Sequence, residues 1–270
     1  MSPGLRWKEF IPVAQPESAK QVADQDDPRP WLGPSPLLDL EDPKLRLRVQ
    51  ALTQLSKTER EKALAIYGFV KRMPLAKHMR LQPATAREVY DNGRGDAPEK
   101  ATLLVAMLRI AGLPARIRYV TLGGEILRGI PGRMREVDRP LVEIWLQDQW
   151  LRTDTFIYDA VCMAAARQRL KDLGWEWGYG IHVQGAMVWN GFESAFLGGA
   201  PTECDLMVVC DRGVFHDARD YLARGRFQKL HVRLLRLLHW GLLAPQMDRG
   251  WRRLRSAETA PVEGAFHKTS

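Results

Sequence analysis

The sequence predicts an α+β fold, because a helix pattern is followed by strand patterns in the middle of the chain. In residues 97–111, apolar side chains recur at i, i+3, i+7 and i+10 from Ala101, which follows one face of an α-helix. Residues 116–122 alternate with a period of two, as a strand does. Residues 141–146 and 150–154 are two further β-rich runs, and the short Gln-Asp-Gln link between them is typical of a hairpin.

The bulk composition is that of a folded globular protein. Of the 270 residues, 45% are hydrophobic and 27% are charged, which provides ample material for a core and excludes disorder of the whole chain. The formal net charge of +8 and the pI near 9.6 permit an anionic partner. Because no recognised nucleic-acid-binding motif accompanies this charge, the sequence does not favour nucleic acid as that partner.

The cysteines and the N-terminus bear on location and on metals. Cys162, Cys204 and Cys210 form an odd, unclustered set, and the first residues lack the apolar core of a signal peptide, so a reducing, cytoplasmic location is predicted. No stretch of about 18 apolar residues is present, and we therefore expect no membrane span. The spacings from Cys204 to Cys210 and on to His216 match no zinc motif, and neither a metal nor another cofactor is expected.

The predicted central helix begins at a loop that two glycines loosen. Gly93 and Gly95 precede Pro98, whose fixed φ suits the first turn of a helix, and Glu99 favours the positive N-terminus of the same helix. Such a terminus can bind an anion or lower the pKa of a thiol placed there. The residue at that place is Ala97.

This stretch resembles the nucleophile segment of the transglutaminase-like superfamily, which comprises papain-like thiol acyltransferases and hydrolases. The family pattern is roughly Gly-x-Gly-x-Cys, a Leu-rich helix, and then Arg-x-x-Gly-Leu-Pro-Ala-Arg. The residues that fit are Gly95, Asp96, Glu99, Lys100, Ala101, Leu104, Arg109, Gly112, Leu113, Pro114, Ala115 and Arg116. By this resemblance, the family's nucleophilic cysteine falls on Ala97.

Two later motifs extend the resemblance. The family's histidine strand, His-x-Trp-Val-Glu-Val, is similar to residues 139–146, and its aspartate strand, Gly-x-Trp-x-x-x-Asp, is similar to residues 149–154. Asp154 falls on the family's aspartate, whereas Arg139 occupies the position of the histidine. The resemblance implies a papain-like core whose central nucleophile helix packs on an antiparallel β-sheet.

The resemblance also divides the chain. Residues 1–36 are predicted to be an extended, partly disordered leader, and residues 37–158 the transglutaminase-like core. Residues 159–256 are predicted to be an aromatic-rich and helical extension of the same domain, followed by a disordered tail over residues 257–270. Within the extension, residues 227–243 have the pattern of an amphipathic helix that packs on the domain.

Several residues are candidates for contact with a ligand. The aromatic and glycine-rich region beyond the core walls a substrate pocket in one interpretation and fills a loop-rich core in the other. Both interpretations remain open from the sequence. The candidate substrate-binding residues are Asp96, Glu99, Lys100, Trp150, Trp177, Tyr179, His182 and Trp189.

The replaced positions limit the chemistry that the resemblance implies. Alanine cannot attack a carbonyl, and arginine cannot act as a base near neutral pH, so transamidase or cysteine protease activity through this triad is expected to be absent. The favoured hypothesis is a non-catalytic cleft that binds a peptide, an acyl-type small molecule or a protein partner, with Arg139 paired to Asp154. The alternative is a repurposed enzyme in which Asp96, Arg139 and Asp154 act by acid-base or electrostatic catalysis.

Two further alternatives concern the missing groups. Ala97 is either native or a deliberate replacement of a cysteine, and in the second case Arg139 would still leave no base. His182 is the residue that could swing into the cleft as a substitute base. Cys162 follows Asp154 closely, but it is expected to be a small buried core residue.

Overall fold

A computed structural model describes residues 27–76, 82–130, 134–224 and 245–256. These residues form helices and one four-stranded antiparallel sheet, which confirms the predicted α+β class. The leader up to residue 26, the whole of the predicted amphipathic helix over residues 227–243 and the tail over residues 257–270 lie outside the described residues. In the described part, no helix is both long enough and apolar enough to cross a bilayer.

The elements follow the chain in the predicted order, with helices before the sheet and a mixed region after it. The helices are α1 (Pro43–Thr53), α2 (Glu59–Arg72), α3 (Ala86–Asn92), α4 (Ala97–Ile110), α5 (Ala160–Leu173) and α6 (Ala218–Arg224), and residues 245–256 are also helical. The strands are β1 (Ala115–Gly123), β2 (Glu136–Leu146), β3 (Gln149–Thr153), β4 (Trp177–Gly178), β5 (Ile181–His182) and β6 (Val208–Phe215). Short 3-10 turns occupy Arg29–Leu32 and Gly124–Leu127.

The sheet has the strand order β3-β2-β1-β6, and every neighbouring pair is antiparallel. β2 and β3 form the predicted hairpin, which turns at Gln147 and Asp148 with φ of 54° and 59°. Left-handed φ at both central residues is typical of a two-residue turn that matches the twist of the strands. In this register Glu143 lies opposite both Arg116 and Arg152, so one carboxylate faces strands on both sides.

Helix α4 is the centre of the core. It contacts α1, α2, α3 and the two central strands β1 and β2, and all of its residues from Glu99 to Arg109 are buried. Its start at Ala97 and its end before Gly112, which has φ of 80°, agree with the sequence prediction. Burial on all sides explains why its sequence is apolar well beyond one stripe.

The N-terminus of α4 is fixed by a capping box. The Asp96 carboxylate accepts the backbone N–H of Glu99 at 3.0 Å, and the Glu99 carboxylate accepts the backbone N–H of Asp96 at 2.9 Å. We expect Asp96→Ala to destabilise the fold by about 1 kcal/mol, because it removes this cap, and Asp96→Asn to retain most of the stability. Urea unfolding of the two variants measures the difference, and equal losses would contradict the capping role.

The extension and the end of the leader pack against the sheet rather than standing apart from it. In the described part of the leader, the Trp31 ring stacks on His216 with centroids 4.5 Å apart. In the extension, Ala195 forms a parallel bridge with Thr153, and the Leu197 carbonyl accepts the backbone N–H of His182 at 2.9 Å. The aromatic region therefore lies beside β3.

Candidate functional site

The N-terminus of α4 is the first part of the candidate site. Ala97 is half-buried there, with only a methyl group at the position where the family has a thiol. The preceding loop is held by two backbone bonds of Gly95, to Pro74 at 3.3 Å and to Ala76 at 3.1 Å. The Asp96 and Glu99 carboxylates, predicted to bind substrate, face each other's backbone N–H groups in the capping box. Their substrate role stays a prediction.

The second part is a buried ion pair. Arg139 Nη1 lies 3.2 Å from Asp154 Oδ2, and the two residues are 8% and 2% exposed. Asp154 Oδ1 accepts the backbone N–H of Leu197 at 2.7 Å, and Arg139 Nη2 donates to the carbonyl of Gly180. The pairing of Arg139 with Asp154 that the sequence led us to expect is thus present.

Burial dominates the electrostatics of this pair. Loss of water raises the pKa of Asp154, and the Arg139 charge and the Leu197 N–H act in the opposite direction without outweighing it. Tyr158 is close enough for both charges to act on its pKa, which burial raises. Each Asp154 oxygen has a donor, so the carboxylate is a fixed structural group in this arrangement.

Residues 154–159 connect the ion pair to the start of α4. Lys100, from the first turns of α4, donates from Nζ to the carbonyls of Ile157 at 2.9 Å and Met73 at 2.8 Å. Lys71, at the end of α2, donates to the carbonyls of Thr155 at 2.9 Å and Tyr158 at 3.0 Å. Two buried ammonium groups therefore hold the carbonyls of the segment that begins with Asp154.

These two lysines are unusual because they are buried with carbonyl partners and, among the described residues, form no direct ion pair. Desolvation lowers the pKa of Lys100 to about 7 and that of Lys71 to about 8. Asp159 opposes both shifts, while the charges of Lys71 and Arg255 lower the pKa of Lys100 further. Lys100 is 0% exposed, and its predicted substrate-binding role stays a prediction.

The aromatic candidates fall into two groups. Tyr179 belongs to the site, because its carbonyl accepts the Tyr158 hydroxyl at 2.8 Å and its neighbour Gly180 binds Arg139. Trp189 is buried, and its backbone N–H donates to the Tyr67 hydroxyl at 3.0 Å. These contacts support the core-filling interpretation for Trp189.

The side chains of the other aromatic candidates contact groups outside the ion pair. The Trp177 and His182 rings pair with each other across β4 and β5 with centroids 4.4 Å apart. His182 Nδ1 accepts the backbone N–H of Gln184 at 3.1 Å, which fixes the ring in the extension. The guanidinium carbon of Arg116 lies 3.9 Å from the centroid of the Trp150 ring, which places Trp150 in the charged cluster of the sheet.

That charged cluster explains the glutamate of the strand motif. Glu143 is 0% exposed and accepts ion pairs from Arg116, Arg118 and Arg152. Desolvation would raise its pKa, but the three guanidinium groups lower it below the usual range. Glu143 therefore ties β1, β2 and β3 together, and the motif residue is structural here.

One cavity borders the ion pair, and a second lies next to the first. The smaller one, about 10 Å³, is lined by Arg139, Asp154 and Phe196 among others. The larger one is an open groove of about 470 Å³ in the extension, and it shares Phe196 and Ala200 with the smaller cavity. Within the described residues, no group of three or more His, Cys, Asp and Glu side chains is placed to hold a metal ion.

Several residues of the site carried no signal in the sequence. Lys71, Tyr158, Gly180 and Leu197 contact the ion pair or its segment, yet none belongs to a motif of the family pattern. Two of them act through backbone atoms, which any residue type supplies. The polar Lys71 inside an otherwise apolar helix face was the one signal available.

The site thus combines the capped N-terminus of α4 with a buried arginine–aspartate pair at β2 and the end of β3, and Lys100 links α4 to the segment that follows Asp154. The family model described as the transglutaminase-like superfamily matches residues 47–155. The chain therefore carries a transglutaminase-like domain over these residues, which confirms the recognition made from the sequence motifs.

The solved structures that are similar to this chain include two proteins described as proteases, and no curated protein matches it. One, from Cytophaga hutchinsonii, is described as a "Putative Cysteine Protease"; it is 17% identical with a TM-score of 0.39, over 53% of this chain and 44% of that one. The other, from Parabacteroides distasonis, is described as a "putative protease"; it is 19% identical with a TM-score of 0.33, over 48% of this chain and 25% of that one. The chain thus spans less than half the length of either protein.

Proposed function

We propose that this transglutaminase-like domain is a non-catalytic binding module, whose cleft at Ala97 and Arg139 receives a peptide, an acyl group or a protein partner. The observation that carries the proposal is the ion pair of Arg139 with Asp154. In thiol acyl transfer, an aspartate orients a histidine that takes a proton from the nucleophile. Here the aspartate holds a permanent cation that has no proton to exchange near neutral pH.

The alternative of a repurposed enzyme receives less support from the same contacts. Acid-base catalysis requires a titratable group that reaches the substrate. Asp154 is 2% exposed with a donor on each oxygen, and Lys100 is fully buried on two carbonyls. Asp96 is committed to the helix cap. None of the three presents a free acid or base to a ligand in this arrangement.

The test compares the native chain with Ala97→Cys/Arg139→His. We expect no turnover of activated esters or of glutamine peptides with an amine by the native chain, and measurable turnover by the double variant. Ala97→Cys alone should be at least about 10²-fold slower than the double variant, because it has a nucleophile but no general base. Every chain carries Cys204→Ser and Cys210→Ser, since these two thiols are not buried and would react with esters by themselves.

The outcomes separate the two functions. Turnover by the native chain that Asp96→Asn or Asp154→Asn abolishes would establish the repurposed enzyme and end the binding-module proposal. Silence of the native chain together with turnover by the double variant supports a scaffold whose geometry is intact and whose reactive groups are replaced. The matched control is Arg46→His/Ala97→Cys, in which the new histidine lies on the exposed side of α1 and should give no gain over Ala97→Cys.

A further inference from the structure

The helix over residues 245–256 presents one face to the domain. Met247, Trp251 and Leu254 are buried, while Arg252 and Arg253 are exposed. This spacing of four and three residues is that of an amphipathic surface helix. The question is what part of the domain this face covers.

Trp251 lies on the Arg139 side of the candidate site. Its ring meets the Tyr158 ring edge-on, with centroids 5.2 Å apart. The Tyr158 hydroxyl donates to the carbonyl of Tyr179, whose neighbour Gly180 accepts from Arg139. Trp251 therefore packs on Tyr158, whose hydroxyl binds the residue next to Gly180.

Arg255, one turn further along the same face, lies on the Ala97 side. Its Nη2 donates to Asp159 Oδ2 and to the carbonyl of Leu75, both at 2.7 Å, and its Nε donates to Asp159 Oδ2 at 3.2 Å. Leu75 forms a bridge with Gly95, two residues before Ala97. Arg255 therefore fastens the helix to the strand-like segment that supports the start of α4.

We propose that residues 245–256 are an autoinhibitory latch, which spans the two flanks of the Ala97–Arg139 cleft and limits access to it until the helix is released. The inference rests on the proposed function, because the latch regulates the cleft proposed above. Trp251 and Arg255 are spaced i, i+4, so a single helix face reaches both flanks at once. The latch is held by the buried side chains of Met247, Trp251 and Leu254 and by the Arg255 guanidinium, and the aromatic contact and the guanidinium are the two that reach the flanks.

The contact chemistry also indicates how the latch opens. Arg255 is the cation that Asp159 meets at the N-terminus of α5, where Asp159 also caps the helix by accepting the Cys162 N–H at 3.0 Å. A ligand that competes for this surface must supply a cation for Asp159 and an apolar group for Tyr158. A basic peptide with an aromatic residue one helical turn from an arginine has that chemistry.

The test measures thiol accessibility at the cleft. In Ala97→Cys with Cys204→Ser and Cys210→Ser, the rate of alkylation of Cys at position 97 by iodoacetamide reports whether the cleft is open. We expect Trp251→Ala/Arg255→Gln to raise this rate at least about tenfold, since it removes the ring contact with Tyr158 and the guanidinium contacts with Asp159 and Leu75. The matched control is Arg252→Gln, an exposed arginine of the same helix that pairs with Asp248 within the helix, and it should leave the rate unchanged.

Cys162 serves as an internal reporter of unfolding, because it is buried in the core. Arg255→Gln alone is measured in parallel, and rates are compared in the variants whose Cys162 stays unlabelled. Equal labelling rates in the parent, the latch variants and the control would overturn the latch. The readout requires no catalysis: faster labelling of the latch variants together with turnover by the native chain would keep the latch and reject the proposed function.

Discussion

Replacing Arg139 by methionine is expected to destabilise the domain by about 3–5 kcal/mol, because it leaves the Asp154 charge buried without its partner. Asp154 is 2% exposed, and in the variant Oδ1 still accepts the Leu197 N–H. Methionine also removes the donor to the Gly180 carbonyl. Urea unfolding at pH 7 of the native chain and the variant measures the loss.

Two further variants are needed to interpret the stability loss of Arg139→Met. Arg139→Met/Asp154→Leu should recover most of the lost stability, because a buried ion pair replaced by apolar groups is often neutral or stabilising. Arg46→Met, which breaks an exposed ion pair with Glu41, should change stability by less than about 1 kcal/mol. If Arg139→Met costs no more than Arg46→Met, the Arg139–Asp154 pair does not hold the empty site together.

The loss in Arg139→Met should also depend on pH. Burial already raises the pKa of Asp154, and removal of the guanidinium takes away the charge that opposes this shift. At acid pH the carboxyl accepts a proton, and a neutral acid costs less to bury than a carboxylate. The destabilisation measured at pH 5 is therefore expected to be smaller than that at pH 7.

The core of the fold was predictable because its signals are local. The spacing of its apolar residues, together with Pro98 and Gly112, predicts helix α4. The two-residue turn predicts the β2–β3 hairpin. The same stretch located Ala97 at the N-terminus of α4. These features depend on a few neighbouring residues, whose propensities the tertiary structure did not override.

The environment of the site could not be predicted from the sequence. The Lys100 partner Ile157 is 57 residues away, the Lys71 partner Tyr158 is 87 away, and the Arg255 partner Leu75 is 180 away. Each of these partners is a backbone carbonyl, and a carbonyl has no residue signature. The sequence placed Lys100 among the candidate substrate-binding residues, and only the fold reveals the two carbonyls that bind its ammonium group.

Those buried lysines lead to a second large effect: the native domain should gain stability as the pH rises from 7 to 9.5. The pKa of Lys100 is lowered to about 7 and that of Lys71 to about 8, while an unfolded lysine keeps a pKa near 10.4. Between these values the unfolded chain binds protons that the folded chain has released. The free energy of unfolding then rises with pH, by about 1.4 kcal/mol per pH unit for each lysine that has titrated.

The pH range of this rise in stability is bounded by the titration of the two lysines below it and of tyrosines above it. Below pH 7 both lysines are charged in the folded and the unfolded chain, so their burial penalty is fully present. Above about pH 10, unfolded tyrosines ionise, whereas burial raises the pKa of Tyr67 to about 12 and also raises that of Tyr158, so the trend reverses. Urea unfolding at half-unit steps from pH 6.5 to 9.5 covers the informative range.

Variants of the two lysines show which of them causes the rise of the free energy of unfolding with pH. Lys100→Met should remove the rise between pH 7 and 8, where Lys100 is the lysine that titrates, and Lys71→Met/Lys100→Met should flatten the curve up to pH 9.5. Lys57→Met, at an exposed position before α2, should retain the native slope. A native curve that is flat or falls over this range would show that the two ammonium groups remain charged on their carbonyls. In that case the carbonyls of residues 154–159 would act as a full substitute for solvent, and the site would be held by two permanent cations as well as by Arg139.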